Sequence, residues 1–440
     1  MNKRMKKYKM VIALLLCMLM LPACQQTPDK EPVVYRGIGL LEGAEEVPPY
    51  RYEAPSEITA TRRKQNLQIV WNARVEAPAL ENYVVALVQR ESFSKSRLQE
   101  LTSCFCSNSK LYTSYTPTKA EIASALERCM NGVSSNTEIT NYYKEKLQSD
   151  YQSAPDDNTD AVFLWSQFAE TEHYKVYAET EKEHQILAFQ PSGNSFYYCR
   201  YAGSDIISQS VLTFDDPEWE DYLSEFPVTK EAAEKTVLAT LHDANITDMV
   251  PDSWNKACVY QYGILVSRGW QCTLTRENNG LPSHFQWVTT TWKDGDRATI
   301  GAPWTPEVLL MYVDEQGISG FDWRGAGNEM AILLKNVALL PFDDIVEMIE
   351  QQLIYRHLPT AETMDYFRVK ISQLRLCSAL VSIPDVQDAG YSLPVWEAVY
   401  TVEYPNSESM ETYVLTLCAT NGAYIEPQIT TADLSYQTQN

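Results

Sequence analysis

The pattern that most narrows the fold lies in the second half of the chain, where one order of elements is written twice. The first copy opens at Phe226-Pro227-Val228-Thr229 and runs into a helix with Ala233, Val237, Leu238 and Leu241 on one face. The second opens at Leu340-Pro341-Phe342-Asp343, with Ile345, Met348, Ile349 and Leu353 on the matching face. Each helix starts just after a proline, with Thr229 or Asp343 as the expected cap, since a side-chain oxygen there accepts from an otherwise unpaired amide. Strands follow. Trp270, Cys272 and Leu274 alternate with Gln271, Thr273 and Thr275 in copy one. Phe367, Val369 and Ile371, then Leu374 and Leu376, do so in copy two. The phase slips between 371 and 374, which predicts a β-bulge.

The copies continue in step. Gly280-Leu281-Pro282 precedes a strand holding Trp287, and Ser392-Leu393-Pro394 precedes one holding Trp396. In the latter, Trp396, Ala398, Tyr400, Val402 and Tyr404 share a face, with Glu397, Thr401 and Glu403 opposite. Each copy closes on a hairpin. One turns through Asp314-Glu315-Gln316-Gly317 into Ile318–Trp323, the other through Thr420-Asn421-Gly422 into Ala423–Ile425; Asn-Gly is the strongest short hairpin signal. A helix followed by about four antiparallel strands buries one sheet face under the helix. Residues 226–325 and 326–440 therefore read as two helix-plus-sheet units.

Upstream, residues 66–225 read as an N-terminal α+β domain, making the whole chain α+β. Leu67 to Val75 alternates as a strand, and Val84 to Val88 is a short apolar run of the same kind. Ser94 caps one helix and Thr118 a second, where Ile122, Ala125, Leu126 and Cys129 share a face; a third runs from about Glu138 and ends before Pro155. Strands follow at Tyr174–Ala178, Gln185–Gln190 and Ser195–Tyr201, before a boundary near Pro227.

The leading segment is an address. Lys3, Arg4, Lys6, Lys7 and Lys9 precede an uninterrupted apolar run from Val11 to Leu21, too short to span a bilayer, which takes about 20 helical residues. Residues 1–23 thus read as a secretion signal. Leu21-Pro22-Ala23-Cys24 resembles the lipobox of bacterial lipoproteins, a resemblance that implies diacylglycerol on the Cys24 thiol and cleavage before it. Residues 24–65, with Pro28, Pro32, Pro48, Pro49 and Pro55 and no apolar periodicity, read as the lipidated residue and a flexible tether. Its 41 residues would span roughly 135 Å extended and about 35 Å as a coil.

Charge excludes one class of partner. Lys+Arg number 36 against Asp+Glu 58, a net charge of −22, and loss of five basic residues with the signal takes −22 to −27. A phosphate backbone would be repelled, so no nucleic-acid partner is expected. The charge suits either a cationic partner or, as the default, solubility.

Chemistry is sparse. The five histidines, His173, His184, His242, His284 and His357, form no zinc spacing, and no nucleophile elbow, phosphate loop or EF-hand is present. Neither catalytic residues nor a metal nor a cofactor is expected. Lys293-Asp294-Gly295-Asp296 reads as a turn. Cys104, Cys106, Cys129, Cys199, Cys258, Cys272, Cys377 and Cys418 match no known disulfide framework. Cys272 and Cys377 sit on apolar strand faces as small hydrophobes. Cys104-Phe105-Cys106 holds the one close thiol pair, read as structural ahead of redox or metal chemistry. Six tryptophans, Trp254, Trp270, Trp287, Trp292, Trp304 and Trp323, crowd one stretch. Trp270 and Trp287 fall at core positions, leaving Trp292 and Trp304 as the candidate exposed platform for a sugar ring or peptide.

The phrases Thr275-Arg276-Glu277-Asn278-Asn279-Gly280-Leu281-Pro282, Val337-Ala338-Leu339-Leu340-Pro341-Phe342-Asp343 and Ser392-Leu393-Pro394-Val395-Trp396 carry a further resemblance. With the lipobox they resemble the uncharacterised lipoproteins of Gram-positive, clostridia-type bacteria. More distantly, residues 226–426 are similar to PepSY-type domains and to the YycH/YycI extracytoplasmic regulators of a cell-envelope sensor kinase. That resemblance implies binding without catalysis. The expectation is therefore a lipoprotein anchored on the extracytoplasmic face of the membrane through Cys24, binding an envelope protein or a peptide. A small-molecule or glycan receptor is the alternative, and a hydrolase without a recognisable motif the third.

Overall fold

Period-two alternation organises most of the molecule. The computed structural model describes residues 41, 44–107, 109–134, 137–169, 172–179, 184–190, 195–201, 227–283, 307–383, 386–403 and 411–425. The chain opens with β1 (Glu57–Lys64), β2 (Leu67–Glu76) and β3 (Val85–Arg90), followed by α1 (Lys95–Phe105), β4 (Leu111–Tyr112), α2 (Lys119–Asn131) and α3 (Thr137–Ser153). Three strands come next, β5 (Tyr174–Glu179), β6 (His184–Gln190) and β7 (Ser195–Cys199). Then α4 (Lys230–Asp243) leads into β8 (Met249–Gln261), β9 (Ile264–Asn278), β10 (Leu281–Pro282), β11 (Val308–Asp314), β12 (Gly317–Arg324) and β13 (Gly327–Leu334). Last are α5 (Phe342–Ala361), β14 (Phe367–Ile383), β15 (Val386–Glu403), β16 (Glu411–Cys418) and β17 (Tyr424–Ile425).

The fold is α+β, with two sheets. In the first, strands run β1-β2-β14-β15-β16-β17, and β3 joins the early part of β15 while carrying β13 on its far side. In the second they run β10-β9-β11-β12-β7-β6-β5-β4, with β8 also on β9. Both α4 and α5 are followed by antiparallel pairings, β8 with β9, β9 with β11 and β11 with β12 in one half, β14 through β17 in the other. Under α5, Ile345, Ile349 and Leu353 meet Val369, Ile371, Trp396, Ala398, Tyr400, Leu415 and Leu417 in the larger core. Under α4, Ala233, Val237 and Leu241 meet Cys272, Leu274, Leu309, Met311 and Phe321.

Most local expectations hold. Ser94, Thr118 and Thr229 cap α1, α2 and α4, and Thr118 with Glu121 completes a capping box. The register of β14 shifts between Ile371 and Gln373, where the phase slip places a bulge. Both closing hairpins form. In the second, Gly422 sits at φ +73°, a left-handed conformation that favours glycine, and a Cβ there would push against the Met348 side chain of α5.

Several expectations are corrected. Among the described residues, the strands of 66–225 join the two sheets named above and form no separate one. Strands β1–β3 complete the first sheet, where β2 runs parallel to β14, and β4–β7 extend the second from β12. The buried row Leu67, Ile69, Trp71, Ala73 and Val75 needs a cover, and the core under α5 supplies it. The tether reading of 24–65 fails from Ala44 onward. Glu46 bridges Val337, the Tyr50 and Tyr52 hydroxyls donate to the Val337 and Leu340 carbonyls at 3.2 and 2.9 Å, and β1 pairs with β2 throughout. Two half-buried tyrosines with polar tips hold this segment down without any periodicity. Asp343 does not cap α5; Pro341 occupies the cap and Asp343 lies in the first turn. Leu238 points away from its expected face and is 51% exposed. Pro394 does not precede its strand but lies inside β15. It pairs there with Ser378 of β14 and its carbonyl accepts from the Ala419 N–H at 3.0 Å, while the Ala419 carbonyl accepts from Leu340 at 2.8 Å instead, so that acceptor does not need the missing N–H.

The sheets meet at a polar seam. Ser283 bridges Ser378, and the Asn278 amide donates to Ser378 and Ser392 at 3.0 and 2.9 Å. Arg375 on β14 donates to Glu76 on β2 at 3.0 Å and to Asp252 on β8 at 2.7 Å. Leu281 of β10 enters the core of the first sheet.

Candidate functional site

The residues singled out for anchoring and ligand stacking, Cys24, Trp292 and Trp304, lie outside the described residues, as do Trp287, His284 and the turn Lys293–Asp296. The remaining tryptophans of that cluster are structural. Trp323 is buried and donates to Glu307 at 2.9 Å, while Trp270 packs half-buried on the core and donates to the Val228 carbonyl at 2.9 Å. Trp254 lies under the Lys230 ammonium.

The thiols are set against nucleophilic chemistry. Cys104 is exposed and points at the Asp243 carbonyl, whereas Cys106 is buried and donates to Gln185 at 3.2 Å. Phe105 stacks between them on Tyr198. Burial raises both thiol pKa values, that of Cys106 to about 12, away from the thiolate that attack or metal binding requires. All eight cysteines from Cys104 onward are free thiols. No group of three or more metal-ligating side chains occurs among the described residues.

The buried charges are equally settled. Asp314, at the β11–β12 turn, accepts from Arg200 at 3.1 Å, Tyr201 at 3.0 Å and Ser267 at 2.8 Å, and also from Ser319 and the Gln316 amide. A carboxylate so fully hydrogen-bonded is a clamp that ties β7 to the hairpin. Arg276 binds Glu307 through two nitrogens. Nearby, burial and the Glu307 charge raise the pKa of Glu91.

What the fold leaves open is a strand. β13 pairs with β3 from Gly327 to Leu334, and among the described residues it pairs with no other strand. Six consecutive residues, Asn328 to Leu333, are exposed on both faces. Met330 is 57%, Ile332 46% and Leu333 42% exposed. Glu329 is the only charge in the strand, and it carries none of the lysines or prolines that usually blunt an edge. Sequence reasoning passed over this element. The available signal was the unbroken apolar run Met330-Ala331-Ile332-Leu333-Leu334, which reads as a buried strand. A second apolar patch, Met130, Val133, Ile139 and Tyr142, lies on and between α2 and α3 and offers no backbone edge.

No protein-family model matches the chain, and no curated protein does. Solved structures similar to it include the following two. An uncharacterized protein from Eubacterium rectale ATCC 33656 is 11% identical, with 85% of this chain and 94% of that one covered at a TM-score of 0.48. The Bacillus megaterium YpeB C-terminal domain is 11% identical, with 77% of this chain and 97% of that one covered at a TM-score of 0.29.

Proposed function

We propose that this chain is a non-catalytic interaction module that binds an extended segment of a partner by strand addition to β13. The observation that carries the reading is the open edge from Asn328 to Leu333, exposed on both faces. An added strand would take up the row of backbone N–H and C=O groups and cover Met330, Ile332 and Leu333, the main chain giving affinity and the alternate side chains specificity. The partner segment is apolar in alternation and basic at its flanks, because the chain it approaches carries −22 and attracts cations at long range. Lipid on Cys24 would hold the module at the extracytoplasmic face of the membrane, each buried methylene contributing about 0.8 kcal/mol.

Selection of displayed random peptides on the full chain tests the binding mode. Enriched peptides should alternate apolar residues, carry Lys or Arg, and lose at least about tenfold in affinity on Ile332→Lys, a change worth 1.4 kcal/mol or more. Peptides that bind both forms equally, or that come out acidic, overturn it. Anchoring is tested separately. Intact mass of native protein should show a diacylated amino-terminal Cys24, and a bare thiol there removes that part of the proposal.

A further inference from the structure

β13 ends at Leu334, and the leading segment of the chain is fastened just beyond it, at Val337. Glu46 bridges Val337, the Val47 amide donates to the Asn336 carbonyl at 3.0 Å, and the Asn336 side chain donates to the Val47 and Pro48 carbonyls at 3.1 and 2.9 Å. The side of attachment matters. The Val337 amide donates to the Tyr83 carbonyl at 2.9 Å, toward β3, whereas the Asn336 carbonyl faces Val47. Backbone groups of successive residues in an extended chain point to opposite edges, so Val47 lies along the edge that β13 leaves open.

Upstream, the Ala44 amide donates to the Leu41 carbonyl at 3.1 Å, a contact that reverses the chain, and Leu41 packs on the core of the first sheet. From Val337 back to Leu333 is about 13 Å of strand, and the stretch from Glu46 back to Leu41 reaches up to about 17 Å. The residues before Leu41 therefore start within reach of the open edge. They read Lys30-Glu31-Pro32-Val33-Val34-Tyr35-Arg36-Gly37-Ile38-Gly39-Leu40 and lie outside the described residues. Val33, Val34, Tyr35 and Ile38 are strand-forming types, and Lys30 and Arg36 are basic. Counted back with Leu40 beside Leu333, Arg36 falls beside Glu329, the only charge in β13.

We propose that residues 33–40 of this chain occupy the β13 edge in competition with the partner, as a built-in, reversible inhibitor of strand addition. The inference rests on the reading of β13 as a strand-addition site. Tethering gives the segment an effective concentration in the millimolar range, while the contact itself is weak. Gly37 and Gly39 each weaken a strand. The register of β13 on β3 also shifts twice, between Glu329 and Ala331 and between Ile332 and Leu334, which keeps any added pairing short. A weak, tethered competitor lowers partner affinity without closing the site.

The probe is a fluorescently labelled synthetic peptide of residues 30–41. It is titrated against the full chain, unaltered and with Tyr35→Pro and Arg36→Pro together. Proline has no N–H, and neighbouring amides point to opposite edges, so the pair removes a donor facing β13 in either register. The peptide should bind the double variant about threefold more tightly than the unaltered chain, a change of about 0.6 kcal/mol, because the resident segment no longer competes. Adding Ile332→Lys to the double variant should weaken the peptide by at least about tenfold. Equal affinity for the two forms, or binding to neither, overturns the inhibitor, and strand addition then stands or falls by the displayed peptides alone. Peptide binding that survives Ile332→Lys puts the segment elsewhere and overturns it too. Both prolines precede the fastened residues, so the double variant should lose no more folding stability than that threefold change represents; a loss of several kcal/mol overturns a displaceable contact.

Discussion

β15 and β13 flank β3 in the same sheet and are built from similar residues, yet they end in opposite surroundings. From Val395 to Val402, β15 buries Trp396, Ala398, Tyr400 and Val402 completely under α5. β13, with Met330, Ile332 and Leu333, leaves all three facing solvent. The difference is cover. β15 has a strand on each edge and a helix across one face, whereas β13, among the described residues, has one strand on one edge. An apolar run therefore specifies a strand but does not specify burial, and the exposed one is the better place to seek a partner.

The largest effect should come from the covered strand. Trp396→Ala removes a fully buried indole, and chemical denaturation should show a loss of about 3–5 kcal/mol; a loss below about 1 kcal/mol would erase the contrast with β13. Next in size is a pH effect at Tyr400, through His357. The folded pKa of His357, about 4, lies below the ordinary 6.5. Above pH 6.5 its contribution is fully present. As pH falls from 6.5 to about 4 the unfolded chain takes up the proton first, so stability declines, by about 3 kcal/mol at most. His357→Phe should flatten that part of the stability curve, and an unaltered slope would show that another group sets it.

A smaller effect is expected at the β16–β17 turn. Gly422→Ala forces a left-handed residue and a contact with Met348, which should lower stability by about 1–2 kcal/mol and loosen amide-exchange protection in β16 and β17 before β2. Least of all, Ile332→Lys should shift folding stability by no more than about 0.5 kcal/mol while suppressing peptide binding. A loss of several kcal/mol would mean that β13 is covered within this molecule, and the interaction reading would fall with it.

Much of the architecture was legible residue by residue. Ser94, Thr118 and Thr229 announced their helices, the phase slip at 371–374 marked the bulge, and Asn421-Gly422 marked the last turn, because caps, bulges and turns depend on a few neighbouring atoms. The site was far less legible. Trp292 and Trp304 drew attention by crowding and lie outside the described residues, while β13 offered no motif beyond an apolar run that reads as buried.

Taken alone, the order of amino acids determined the α+β class, most helix starts, the alternating faces of β2, β9, β14 and β15, and the net negative charge of the chain. Only tertiary structure decided that β2 would run parallel to β14, that Tyr50 and Tyr52 would fasten the leading segment to Val337 and Leu340, and that β13 would pair on one edge alone among the described residues. The physical reason is range. Dihedral preferences and side-chain period act over a handful of residues, whereas pairing partners hundreds of positions apart are chosen by which faces can be buried together.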